Sequence, residues 1–209
     1  MTTPPSGLRE RKKEATRKAL REAALRLAME RGPDNVRVDD IADAAGVSPR
    51  TYNNYFSSRE QAIVAAVTAE RETRVAAAVA ARPAAMRLSD AVVEAIVQQY
   101  TDSSSHDPRA LLLITTRPAL RDAFLGSAAG IEEPLTAVLA ERIGDGGTVT
   151  ARVLAASVAA AIRVALGQWV RPTASGLVVP SGSLPDLLRA ALAPLRPALD
   201  AAAEPGQRS

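Results

Sequence analysis

Residues 38–56, VDDIADAAGVSPRTYNNYF, restrict the fold more than any other stretch of this chain. Apolar and small residues at Ile41, Ala42, Ala44 and Ala45 sustain about two helical turns, and Gly46 then interrupts the run. Glycine takes the left-handed backbone that ends a helix, and Ser48-Pro49 starts another, serine as the cap and proline at the first helical position. Two helices broken and rejoined within three residues bury little surface by themselves. Such a pair needs a third element to pack against.

Residues 8–31 provide it. Ala15, Ala19, Leu20, Ala23, Ala24 and Leu27 fall on one helical stripe with basic residues opposite, and Gly32-Pro33 stops the run. Two short helices joined by a glycine-containing turn form the helix-turn-helix unit, whose first helix crosses the DNA backbone while the second enters the major groove. Ala42 is small where the two helices must approach, and Ile41, Val47 and Tyr52 are expected to form the core between them. Arg50, Thr51, Asn53 and Asn54 give the second helix, residues 49–55, the polar face that groove reading requires. Ser57 and Ser58, with Glu60 and Gln61 three residues beyond them, then cap a long helix that runs to about Ala81 before Arg82-Pro83.

The remainder predicts helices at 89–103, 109–116, 118–143 (bent near Gly126 and Gly130), 148–170 and 184–203, the last kinked or shortened by Pro194 and Pro197. Only LVV at 177–179 has any strand character, so the chain is expected to be all-α: a three-helix DNA-binding domain followed by a larger helical domain. The expected organisation is a disordered tail at 1–7, a helix-turn-helix domain at 8–57, a connecting helix at 58–83, a ligand-binding and dimerisation domain at 84–204, and a disordered tail at 205–209.

Composition supports helix and narrows the function. Apolar residues make up 47% of the 209 and aromatics only 3%, a mix rich in alanine and poor in strand formers. There is no cysteine, which excludes disulfides and thiolate metal sites and fits a reducing cytoplasm. The N-terminus has no apolar signal core and no long uncharged stretch occurs, so neither secretion nor a membrane span is expected. Residues 1–60 hold 12 basic and 9 acidic side chains, while the rest of the chain is balanced. The whole positive excess therefore lies beside the helix-turn-helix, as a polyanion partner would require.

From LRERKKEATRKALREAALRL through VDDIADAAGVSPRTYNNYFSSREQAI, residues 8–63 resemble the DNA-binding domain of the TetR (tetracycline-repressor-like) regulators. That resemblance implies a homodimer on a near-palindromic operator in duplex DNA, released when a small effector binds the C-terminal domain. Carried over by position, it makes Ser48, Pro49, Arg50, Thr51, Tyr52, Asn53, Asn54 and Tyr55 the recognition helix. It places Arg59 where the family usually has a lysine near backbone phosphate. Arg37 stands where Thr or Ser often caps the second helix, which exchanges that cap for a phosphate contact. Asn53 replaces a common aromatic, and Ala28 a common phenylalanine of the first helix. Lys12, on the basic face of residues 8–31, is a further expected phosphate contact.

No catalytic constellation emerges, so the chain is not expected to be an enzyme. His106, the sole histidine, neighbours Asp107 in a serine-rich loop, where adjacent residues cannot form an oriented triad. GDGG at 144–147 lacks the strand and lysine of a phosphate loop, and no carboxylates cluster at metal-ligand spacing, so no cofactor or metal is expected. Tyr100, Arg117, Asp122, Arg163, Gln168 and Trp169, polar or aromatic among apolar faces, are candidate anchors for an apolar or amphipathic effector. Two functions follow: a ligand-responsive repressor, or a constitutive DNA-binding protein whose C-terminal domain only dimerises. A cavity among the C-terminal helices separates them.

Overall fold

The computed structural model describes residues 6–102, 108–144, 147–171 and 182–204. The loop with His106, the LVV segment, the centre of GDGG, and most of the first tail and all of the last lie outside the described residues. Within them the secondary structure is helical throughout and includes no strand. The helices are α1 Ser6–Arg31, α2 Val38–Ala44, α3 Pro49–Asn53, α4 Arg59–Ala80, α5 Leu88–Thr101, α6 Pro108–Thr116, α7 Pro118–Gly126, α8 Glu132–Ile143, α9 Thr148–Trp169, α10 Leu184–Leu192 and α11 Arg196–Ala203.

The described residues fall into two compact units. The first takes in residues up to 68 together with 108–124, and the second the remainder, so the division falls inside α4. In the first unit, α2 packs on α1 and on α3, and α6 packs on α1. Its core joins Leu20, Ala23, Ala24, Leu27 and Ala28 of α1 to Val36, Ile41, Ala42, Tyr52, Phe56, Ile63 and Ile114. The buried stripe of α1 is shorter than its pattern predicts: Ala15 is exposed and Ala19 only half-buried. From Leu8 to Ala15 the helix is exposed, with Arg9, Arg11, Lys12 and Lys13 along it.

The turn between α2 and α3 depends on Gly46. Its φ is +69°, and backbone N–H groups of Gly46 and Val47 donate to the carbonyls of Asp43 and Ala42. A side chain at that φ would be strained, which is why the interruption in the sequence is a glycine.

The second unit is built around α9, which packs on α8, on α10 and on the 3-10 segment Ser127–Ile131, while α5 packs on α10 and α11. Ala151, Leu154, Ala155, Val158, Ile162, Ala165 and Leu166 bury one face of α9. The single bent helix expected over 118–143 is instead two α-helices separated by the 3-10 segment. At Gly130 an added Cβ would lie 2.3 Å from the Glu72 carboxyl, so a larger residue there would push the end of that side chain aside. The break at Pro194 is a 3-10 turn, Ala193–Leu195, because proline has no N–H to continue the helical ladder. Asp200 of α11 then accepts from the N–H and Oγ of Ser89 at 2.9 and 3.0 Å, fastening α11 to the start of α5.

Candidate nucleic-acid interface

Five residues suffice for α3 because both of its ends are fixed. Ser48 Oγ accepts from the Thr51 N–H at 3.1 Å, the N-cap bond, and Pro49 occupies the first position, where no N–H is needed. Tyr52 faces inward. It is fully buried, its hydroxyl donates to the Ser58 carbonyl at 2.8 Å, and its ring lies 5.9 Å from that of Phe56. Burial, with a smaller contribution from the Glu60 charge, pushes the Tyr52 hydroxyl pKa up to about 12. Tyr52 therefore belongs to the core, as its expected place with Ile41 and Val47 predicts, although the family resemblance counts it in the recognition helix. The helical period that buries it turns Ser48, Pro49, Arg50, Asn53 and Asn54 outward, with Thr51 and Tyr55 at the margin.

The basic start of α1 lies beside this face. Arg9, Glu10, Lys12, Lys13 and Thr16 line a groove of about 630 Å³ with Thr51, Asn54 and Tyr55. The structure thus brings Lys12 together with three of the residues expected to read DNA. Arg37 is exposed at the start of α2; its N–H donates to Asp40 Oδ2 at 3.0 Å, and its guanidinium, which cannot accept a bond, caps nothing. The outward amides and guanidinium of Asn53, Asn54 and Arg50 have the donors and acceptors that base edges of the major groove match.

Arg59 is placed differently from expectation. Its Nη1 donates to the backbone carbonyls of Asp34 and Val36 at 3.1 and 2.8 Å, and its Nε to Glu60 at 2.7 Å. Burial alone would raise the Glu60 carboxyl; hydrogen bonds from Arg59, its own backbone and Ser58, with the Arg59 charge, outweigh this and hold it below the usual value. The guanidinium that was expected near phosphate is therefore engaged in fastening the corner before α2 to the start of α4. The Gln61 side chain and N–H complete that start, bonding Ser57 and Ser58 respectively.

The residues expected to anchor an effector are not gathered into one site. Arg117 is exposed and pairs with Asp34 at 2.8 Å inside the first unit, and Asp122 is exposed on α7 of the same unit. Arg163 and Gln168 are exposed because the buried stripe of α9 runs through Ile162, Ala165 and Leu166. Trp169 is half-buried at the end of α9. Tyr100 is half-buried on α5, with the guanidinium of Arg71 4.6 Å from its ring. Sequence reasoning passed over Arg71. In AERETRVAAAV it looks like part of a solvated charged face, and only the packing reveals that it is buried.

A short capped helix presenting polar side chains beside a basic groove, in a unit of its own, defines a helix-turn-helix protein of the nucleic-acid-binding class. Comparison with known proteins agrees with that class. Residues 20–66 match the model for bacterial regulatory proteins of the tetR family, and residues 82–200 match the model for the MftR C-terminal domain. The chain is 29% identical over 147 residues to the HTH-type transcriptional regulator TcmR of Streptomyces glaucescens, covering 66% of this chain and 65% of that protein. It is 34% identical over 148 residues to the HTH-type transcriptional regulator BetI of Rhizobium meliloti (strain 1021), covering 62% and 71%. The chain belongs to the tetR family of bacterial regulatory proteins, and these relatives are transcriptional regulators rather than enzymes.

Proposed function

We propose that the protein is a cytoplasmic transcriptional repressor that binds a near-palindromic DNA site as a homodimer and leaves it when a small apolar or amphipathic effector is bound. The observation that carries this reading is the outward polar face of α3 next to the groove lined by Arg9, Lys12 and Lys13. In it, Lys12 and Arg37 neutralise phosphate, while Arg50, Thr51, Asn53 and Asn54 read base edges.

One α3 spans only a few base pairs, so useful specificity needs two copies about one helical turn, roughly 34 Å, apart. The outer face of α9 supports the dimer: Val149, Val153 and Val164 are 74, 60 and 53% exposed on a helix of mean hydropathy 1.7. α9 alone among the described helices has the length and hydropathy of a membrane span, yet it is also the helix on which α8 and α10 pack. Exposed valines in a row on such a helix are the surface that a second copy would cover. Effector release is assigned to α4, which starts at the serine caps after α3 and contributes residues to both units. Tenfold release requires only about 1.4 kcal/mol of differential binding, within ordinary coupling energies.

A footprint on the DNA upstream of the protein's own gene tests the reading. Protection with dyad symmetry is expected; no protected site refutes it. The exposure of Arg117, Asp122, Arg163 and Gln168 favours a second reading, a constitutive DNA-binding protein whose second unit only dimerises. A screen of apolar and amphipathic compounds against the DNA complex separates the two, since no compound would displace a constitutive binder.

A further inference from the structure

The face of α1 that enters the core changes character where the core ends. Leu20, Ala23, Ala24 and Leu27 are buried on it. Toward the N-terminus, at helical steps of three and four from Leu20, the same face carries Thr16, Lys13, Lys12 and Arg9. Residues 8–15 are all exposed, Leu8 by 56%, so these first turns add nothing to the core of their own unit. Four cations lie within residues 9–13, and three of them, Arg9, Lys12 and Lys13, line the groove with Thr51, Asn54 and Tyr55. Arg11 falls on the opposite side of the helix, where its Nε donates to the Gly7 carbonyl at 3.1 Å.

A helix end that only had to stay in solution would spread its charge around its circumference. These cations instead prolong the inward face beyond the core and remain exposed beside the residues that face DNA, which is where a polyanion would cover them. Thr16 Oγ1 donates to the Lys12 carbonyl at 3.0 Å, which leaves the cations as the donors of that wall. Glu10, also on the wall, meets Lys13 at 3.7 Å, but with side chains 74 and 62% exposed the pair is weak and is given up at small cost. From Arg9 to Thr16 the helix rises about 10 Å, and one DNA strand carries a phosphate about every 3.4 Å of axis, so the wall has the length of about three phosphates. We propose that the first turns of α1, through Arg9, Lys12 and Lys13, seat the sugar-phosphate backbone of one DNA strand in the groove beside α3. The Tyr55 hydroxyl on the facing wall adds a neutral donor to phosphate. Such a seat carries no sequence information and fixes where α3 sits on the duplex. It rests on the DNA-binding reading above and adds Arg9 and Lys13 to the residues that hold the strand.

The test titrates the full-length protein with its footprinted DNA and with arbitrary duplex, from about 50 to 200 mM salt. Arg9→Ala and Lys13→Ala should each reduce the salt slope by about one on both DNAs, so that affinity falls about three- to fourfold less across that range, with base preference unchanged. Arg11→Ala and Lys18→Ala, exposed cations of the other face, should keep the wild-type slope. All four positions are exposed and alanine is the best helix former, so the variants fold. Replacing single phosphates by uncharged methylphosphonates then locates the seat. Two or three neighbouring positions on one strand should weaken the wild type and have no further effect on the Arg9→Ala/Lys13→Ala protein. Equal slopes for all four variants, or the same sensitive phosphates in the wild type and the double variant, overturn the seat. A wild-type protein that binds no duplex refutes the DNA-binding reading itself, whereas operator binding with Arg9→Ala and Lys13→Ala unaltered refutes the seat alone.

Discussion

Replacing Arg59 by alanine separates two roles for one residue. As a phosphate contact, Arg59 would contribute charge to DNA binding and little to folding. As placed here, its Nη1 bonds two main-chain carbonyls, at 3.1 Å on Asp34 and 2.8 Å on Val36. A hydrogen bond from a charged donor contributes about 1.5–3 kcal/mol when sheltered and much less when water replaces it. The Asp34 bond is exposed and its carbonyl can turn to water. The Val36 bond is partly buried, so its acceptor is left poorly satisfied. With the side chain 32% exposed, loss of the neighbouring Glu60 pair adds only a few tenths. The sum is about 2 kcal/mol, or roughly 4–8 °C in Tm for a protein of this size. Thermal unfolding of Arg59→Ala measures it directly, and DNA affinity against salt concentration supplies the control. The expected variant is less stable but keeps the wild-type salt slope once folded. An unchanged Tm with a slope smaller by about one would show that the guanidinium leaves Asp34 and Val36 for phosphate, refuting this placement.

Lys12→Ala should do the opposite of Arg59→Ala, reducing the salt slope by about one without lowering Tm, while Asn54→Ala should relax discrimination at particular bases by about 1–3 kcal/mol; gel-shift titrations over salt and over operator variants distinguish them. Tyr52→Phe should cost about 1 kcal/mol at neutral pH through its bond to the Ser58 carbonyl. The same variant bears on alkaline stability. The folded Tyr52 pKa is raised to about 12, so its contribution is complete below pH 10 and lost as pH rises from about 10 to 12. Urea denaturation over that range should show about 2 kcal/mol of pH-dependent loss in the wild type that Tyr52→Phe lacks. Val153→Asp puts a charge on the exposed apolar face of α9, 60% exposed at that position, and should convert a dimer to monomers at micromolar concentration in sedimentation experiments; a wild type that is already monomeric refutes the dimer.

What was legible in the sequence is what local chemistry dictates. Gly46 at φ +69°, Ser48 capping α3, the serine caps of α4 and the proline break after α10 each follow from rules acting within one turn of chain, where a missing Cβ, a missing N–H or a short hydroxyl side chain leaves the backbone few options. The same locality made the polar face of α3 readable, since a five-residue helix with one large apolar residue can turn only one way. Residues distant in sequence decided the rest. A helical pattern gives no sign that 108–124 packs with the first unit, nor that the Glu72 carboxyl lies against Gly130. Arginines look alike in sequence whether they are solvated, fastened to main-chain carbonyls as Arg59 is, or buried over a ring as Arg71 is. A long flexible cation takes its role from the partner within its reach, and that partner is known only once the chain has folded.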